Sequence, residues 1–374
     1  MNDVLHIVCL DAPAPPDYGG VFDLYYKIPE LHRLGKKIIL HYFDYKKNRN
    51  ADVLKPYCHE IHAYKRSSFL LSLLRNQPFI VSSRTNRELI QRLNGDSHPV
   101  LIEGIHCLGI LRHLDPSKKV MLRLHNDEAA YYQQMARTER NWLKRIYFHR
   151  EQQLLQKFQS LLPGDLCTVS VSTQDMDSFY TKYGFRRIHF LPCFLPWQEI
   201  SSSTGSGSFC LYHGNLQVPE NKEAALWLAK EVFSKTSHSL VIAGKNAGAL
   251  TELVRINPNI RIVESPDDAT LDQLISSAQI HVLPSMNITG VKIKLLHVLF
   301  KGRHCITNTA GFAGCGLHNG VHIADDENSM IELINSLMMV PFSEKDIAMR
   351  QEMLTVYNNR KNAERLNELL KHCQ

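Results

Sequence analysis

Short, almost unbroken apolar runs recur along this chain with room for a helix between neighbours, and this alternation restricts the fold more than any other feature. In the first half the runs are LHIVCL (5–10), IILHYF (38–43), VLIEGI (100–105), VMLRLH (120–125) and CTVSVS (167–172). Helix-period segments lie between them, among them VFDLYYKIPELHRLG and a long one from Glu128 to about Leu162. A strand with one wet face alternates apolar and polar residues, whereas a strand buried on both faces reads as a continuous apolar run. Runs of the second kind, separated by helices, predict a parallel sheet covered on both sides.

The texture then changes. FLPCFLPWQEISSSTGSGSF combines prolines with a Ser/Gly run, the composition of a linker. The alternation restarts after it with FCLYHG (209–214), SLVIAG (239–244), IRIVES (260–265), IHVLPS (280–285), HCITN (304–308) and VHIAD (321–325). At 374 residues the chain is long for one domain and comfortable for two. We therefore expect an α/β protein of two tandem Rossmann-like, doubly wound domains facing a cleft. Residues 1–196 form the first, 197–208 a linker and 209–342 the second; the charged helical segment 343–374 is free to pack back on the first.

Hydrophobic content of 44% and charged content of 21% are those of a globular protein. No apolar run approaches the roughly 20 residues that span a bilayer. MNDVLHIVCLDAP enters a strand directly, without a basic n-region or cleavage site, so secretion by the usual signal is not expected. The 9 cysteines are scattered singly and form no CxxC pair, which argues against a zinc or dithiol motif and for a reducing, cytoplasmic compartment. The net charge of +6 is concentrated in the first 196 residues, the remainder being close to neutral. Either an ordinary solvated surface or an anionic partner accounts for that bias. No aromatic-interleaved basic stripe points to nucleic acid.

Parallel sheets of this type bind ligands beyond the carboxyl ends of their strands. After the first strand, DAPAPPDYGG places Gly19 and Gly20 at the start of a helix; they permit either close backbone approach to a ligand or simply a tight turn. The loop is not GxGxxG, and a nicotinamide cofactor is poorly supported. LRLHNDEAAYY crowds Arg123, His125, Asn126 and Glu128 at another strand end. Capping explains Asp127 but not Arg123 and His125 together, which favours a chemical role, with Glu103 in LIEGIH a lesser candidate. In the second half, Gly214, Asn215 and Lys222 follow one strand, and Gly244 and Lys245 the next. Asp267 or Asp268 reads as a helix cap.

PSMNITGVKIKLLHVLFKGR (284–303) is the sharpest of these stretches. A helix beginning near Gly290 would keep Val291, Leu295, Val298 and Leu299 toward the sheet while Lys292 and Lys294 stand in its first turn. Cations there oppose the helix dipole, so an anion is the compensating partner. The alternative is that both lysines reach into solvent.

Taken together, PPDYGG, YHGNLQVPENKEAALWL and PSMNITGVKIKLLHVLFKGR, set in two tandem doubly wound domains, resemble the GT-B-fold glycosyltransferases, in particular their family 4-like group. The resemblance implies a nucleotide-sugar donor in the second domain, held by Gly214, Asn215, Lys222, Gly244, Lys245, Thr289, Gly290, Lys292, Lys294 and His297. It places a carbohydrate or lipid-linked acceptor on the first, near Gly19, Gly20, Arg123 and Asn126. Catalytic candidates are His125, Glu128 and Glu103, with retention of configuration and no metal or other cofactor. Two glutamates of the family's late motif are Thr289 and His297 here, and the arginine that follows its glycine-loop motif is Asn215. These departures admit two other readings, a nucleotide-sugar epimerase on the same fold and a non-catalytic partner subunit. YKRSSFLLSLLRNQPF (64–79) is either an ordinary packed helix or a peripheral contact with an anionic membrane.

Overall fold

The computed structural model describes residues 3–45, 48–67 and 76–373. Residues 68–75, the centre of YKRSSFLLSLLRNQPF, lie outside the described residues. The chain divides into two compact units. One comprises the chain up to Pro196 together with Thr289–Val291 and everything from Tyr357 on; the other holds Trp197–Ile288 and Lys292–Val356.

The first unit is built on a 7-stranded sheet of order β3-β2-β1-β4-β5-β6-β7. Its strands are β1 (Val4–Cys9), β2 (Lys37–Phe43), β3 (Cys58–Tyr64), β4 (Val100–Glu103), β5 (Val120–Leu124), β6 (Cys167–Ser170) and β7 (Ile188–Phe190), and every pairing is parallel. Alternate residues feed opposite faces. Val8, Ile102 and Leu122 join one core cluster and Ile7, Leu101 and Met121 the other, so both faces are dry. The second cluster also takes Ala363, Leu366 and Leu370 from the closing helix Asn359–His372, and Cys373 after that helix is disulfide-bonded to Cys167 in β6. The cysteines are therefore not all single, as their scatter in the sequence suggests.

Three local expectations are corrected. β3 and β7 are edge strands whose partly exposed residues break the apolar run, so the pattern missed them. The expected long helix from Glu128 is two, Glu128–Thr138 and Trp142–Ser160. Glu139 turns extended, and Asn141 starts the next helix by accepting from the Leu143 and Lys144 amides. The closing segment splits as well: 343–356 belongs to the second unit and only the chain from Tyr357 on to the first.

The second unit holds a 6-stranded parallel sheet of order β10-β9-β8-β11-β12-β13. The strands are β8 (Cys210–His213), β9 (Leu240–Gly244), β10 (Ile260–Glu264), β11 (Ile280–Val282), β12 (His304–Thr307) and β13 (His322–Ile323), one in each expected run. Chain order reverses between β8 and β11 here, and between β1 and β4 in the first unit. Those switch points are where open α/β sheets leave a crevice.

Candidate functional site

At the second unit's switch point the decisive side chain is Lys294. Its helix, Ile293–Lys301, buries Leu295, Leu296, Val298, Leu299 and Phe300. It begins three residues later than the sequence suggested, because Gly290 has φ +67° and Lys292 is an extended N-cap residue. Lys294 thus falls in the first turn. Its Nζ donates to the Tyr212 hydroxyl at 3.2 Å and to Asn221 Oδ1 at 3.0 Å, and lies 4.6 Å from the Tyr212 ring centroid. None of these partners carries a charge. Burial, with repulsion from Lys292 added and attraction to Glu220 opposing, lowers the Lys294 pKa to about 7.

Around that ammonium the loops are tightly drawn. A Cβ on Gly214 would lie 3.6 Å from Lys294 Nζ, so the backbone beyond β8 passes directly beside the charge. Gly244 has φ +144° and its Cβ would lie 1.9 Å from the Gly214 carbonyl oxygen, so only glycine fits where the β8 and β9 loops meet. Asn221 Nδ2 ties the loop by donating to the Asn215 carbonyl at 3.0 Å. The structure therefore gathers Gly214, Gly244 and Lys294, with Asn215 as loop scaffold. Lys222 and Lys245 are exposed, and Lys292 caps the helix start without a side-chain cap bond.

His297 is engaged elsewhere. It stacks on Trp197, with centroids 4.2 Å apart and planes inclined by 14°, and its Nε2 lies 3.0 Å from Asp272. Burial outweighs the pull of Asp272 and lowers its pKa to about 4. Trp197, Tyr212 and Asp272 were not among the candidates. Tyr212 could have been read from its place in the last turnings of a strand before Gly214; nothing local marks the other two.

In the first unit a buried charge network fills the switch point. Lys27 Nζ lies 2.8 Å from Asp23 and 2.7 Å from Glu103. Arg123 pairs with both Asp23 oxygens at 2.9 and 3.0 Å and donates to the Leu191 and Pro192 carbonyls. Arg123 is thus committed to holding the chain after β7, not displayed toward an acceptor. Asp23, Glu103 and His125 bring ligand atoms within 4.8 Å of one another, a spacing that suits a metal, but Lys27 and Arg123 already pair with the two carboxylates. Lys27 was legible: it stands in the apolar stripe Leu24, Ile28, Leu31.

Two carboxylate–histidine pairs flank Gly104. His125 Nε2 lies 2.8 Å from Glu103. His106 Nδ1 lies 4.0 Å from Glu128. A Cβ on Gly104 (φ +82°) would sit 3.3 Å from His106 and 3.8 Å from His125. Glu128 is buried, and desolvation reinforced by Asp127 and Asp175 pushes it up to about 8. Asp127 caps the Glu128–Thr138 helix by accepting from Ala130, as expected. Asn126 abuts Gly290, whose Cβ would lie 2.8 Å from Asn126 Oδ1 and whose amide donates to Asp175 at 2.8 Å. Gly19 begins helix Gly19–Arg33 and faces open space, while a Cβ on Gly20 would press on Leu10 at 3.2 Å.

No family model matches the chain. An uncharacterized 44.6 kDa protein in the cps region of Klebsiella pneumoniae is 24% identical over 342 residues, covering 86% of this chain and 87% of its own. Sucrose-phosphate synthase from Thermosynechococcus elongatus superimposes over 99% of this chain and 98% of its own, with a TM-score of 0.68 at 12% identity. S. aureus TarM, in complex with Fondaparinux, alpha-GlcNAc-glycerol and UDP, does so over 98% and 99%, with 0.66 at 8%. The chain has the GT-B fold. Anabaena HepE, in complex with UDP and glucose, matches it over 100% of both chains, with 0.64 at 10%. In GT-B terms, Lys294 stands in the second Rossmann-like unit and the Glu103–His125 pair in the first.

Proposed function

We propose that this chain is a glycosyltransferase that moves a sugar from a nucleoside-diphosphate donor to a hydroxyl of a glycan or lipid-linked acceptor, in surface-glycan synthesis. The observation that carries the reading is Lys294, a half-buried ammonium whose hydrogen-bond partners are neutral, at a switch point and in the first turn of a helix. A diphosphate supplies the missing charge. As the bond to the sugar breaks, negative charge grows on the leaving diphosphate. The Lys294 ammonium and the first-turn amides then stabilise the product more than the donor, without a metal.

On the first unit, Glu103 takes the His125 Nε2 proton as its hydrogen-bond partner, which leaves the Nδ1 lone pair to receive the acceptor hydroxyl proton. Glu128, protonated at neutral pH, can donate to an acceptor oxygen. Retention of configuration is what the family resemblance implies. TarM and HepE, with UDP in their structures, and the relative in a cps region support this reading.

Thermal-shift titration against UDP, GDP, ADP and CMP is the test. A ligand at 100 times its dissociation constant adds about 2.7 kcal/mol. One base should raise the midpoint, and Lys294→Met should abolish the rise. A shift that survives Lys294→Met refutes the assignment of the site. His297, packed on Trp197 where the family has a carboxylate, favours the non-catalytic partner as second reading. Nucleotide binding with no turnover of any sugar nucleotide would select it.

A further inference from the structure

Helix Trp142–Ser160 leaves its first turns uncovered in the first unit. Trp142, Leu143 and Ile146 are 63%, 59% and 58% exposed, and they share an arc of about 100° on the helix. Trp142, Ile146, His149 and Gln153 follow one another at helical spacing, flanked by Arg145 and Arg150. A groove of about 560 Å³ runs between this face and helix Glu128–Thr138, lined by Arg137, Arg145, His149 and Arg150 over Ala136 and Ile146. No acidic residue occurs from Arg140 to Arg150. The two acids that border the stretch are already engaged. Glu139 accepts from the Asn141 amide; buried Glu151 accepts from the Phe79 amide, with Arg150 at 3.6 Å.

We propose that this helical hairpin docks on an anionic bilayer, with Trp142, Leu143 and Ile146 entering the headgroup boundary while Arg137, Arg145 and Arg150 bind lipid phosphates. An indole beside short aliphatic side chains at a helix end suits the interfacial layer, which is apolar on one side and wet on the other. Each nearby cation adds attraction to an anionic leaflet. A second copy of this chain is a poorer occupant. An isologous contact through the same face would set the arginines of one molecule against those of the other. The inference does not rest on sugar transfer, and lipid binding is read without a donor.

The test is flotation of the full chain with vesicles of phosphatidylcholine, with and without phosphatidylglycerol. Binding should require phosphatidylglycerol and weaken with salt. Arg137→Glu with Arg145→Glu, and separately Trp142→Ser with Ile146→Ser, should each cut partitioning at least about tenfold, with thermal midpoints confirming that the variants are folded. Of the 3 tryptophans only Trp142 lies in this unit, so vesicles should shift the emission to the blue and Trp142→Phe should remove the shift. The proposal is overturned by absence of flotation, by flotation that both double variants retain, or by a Trp142-dependent dimer in sedimentation.

Discussion

Lys27 and Lys294 both stand at the carboxyl end of a parallel sheet, one in each unit, Lys27 fully buried and Lys294 half-buried, and their surroundings differ in kind. Lys27 lies between Asp23 and Glu103, with Arg123 on the far side of Asp23, so the fold itself supplies the counter-ions. Lys294 has a hydroxyl, an amide oxygen and a ring face. Among the described residues, none of its direct partners is a carboxylate. What separates the two lysines is therefore charge balance. An ion enclosed with its counter-ions completes the native state, whereas one enclosed among dipoles carries a desolvation cost that an external anion can relieve.

Removing a counter-ion from the balanced network should give the largest effect. Burial pushes the Asp23 carboxyl up, but Arg123 and Lys27 outweigh it and hold it well below the usual range. Its contribution is present above the unfolded carboxylate pKa and is lost as pH falls through the folded one. Asp23→Ala leaves Arg123 without a carboxylate and Lys27 with Glu103 alone, and frees the Phe194 amide, at an expected cost of about 3–5 kcal/mol in urea unfolding. A loss below about 1 kcal/mol is what screened surface pairs show, and it would erase the contrast with Lys294.

Lys294→Met should do the reverse. Stability should hold or rise, because a poorly compensated charge is replaced by an apolar chain of similar length. The proposed transfer, read as release of the donor's nucleoside diphosphate, should fall about 10²–10³-fold, as when one donor to a developing anion is removed. A variant that unfolds instead would assign Lys294 to the framework.

The pH dependence sharpens the same point. The Lys294 pKa, lowered to about 7, means that the unfolded chain binds the extra proton between that value and the ordinary lysine range. Ligand-free stability should thus rise with pH across that window. Affinity for the proposed nucleoside diphosphate should run the other way, full below the folded pKa and lost as pH rises through the higher pKa of the complex. Paired titrations of the midpoint and of binding of whichever nucleotide shifts it check both slopes, and Lys294→Met should flatten both.

Much of this was legible in the linear sequence. Continuous apolar runs located the central strands of both sheets, since burial on two faces leaves no room for polar residues. Edge strands β3 and β7 escaped because their wet faces break the run. The lysines of the late motif stand out in the sequence through their conflict with the helix dipole, but only the fold shows that Lys294 turns inward to Tyr212 and Asn221 while Lys292 becomes the cap residue. Arg123 misled, because a cation at a strand end reads alike whether it faces a ligand or a buried aspartate from another helix. Asp23 and Arg123 are 100 residues apart, and no local pattern joins them.

The smallest expected effect concerns Glu128, the counterpart of Lys294 in sign. Desolvation, with Asp127 and Asp175 nearby, raises its pKa to about 8. The folded chain then keeps a proton that the unfolded chain releases near the ordinary glutamate value, so this group lowers stability as pH rises from there to about 8. Glu128→Gln fixes the protonated shape and should raise the midpoint by a few degrees at the upper end of that window while changing little at its lower end. Part of the slope should remain. Burial also raises Asp175, to about 6, against the hydrogen bonds from Gly290, Asp127 and Ser172, and its window closes sooner. A Glu128→Gln midpoint that tracks the parent at every pH would mean that Glu128 is ionised in the folded state, and the hydrogen-bond donor proposed for the acceptor would then be lost.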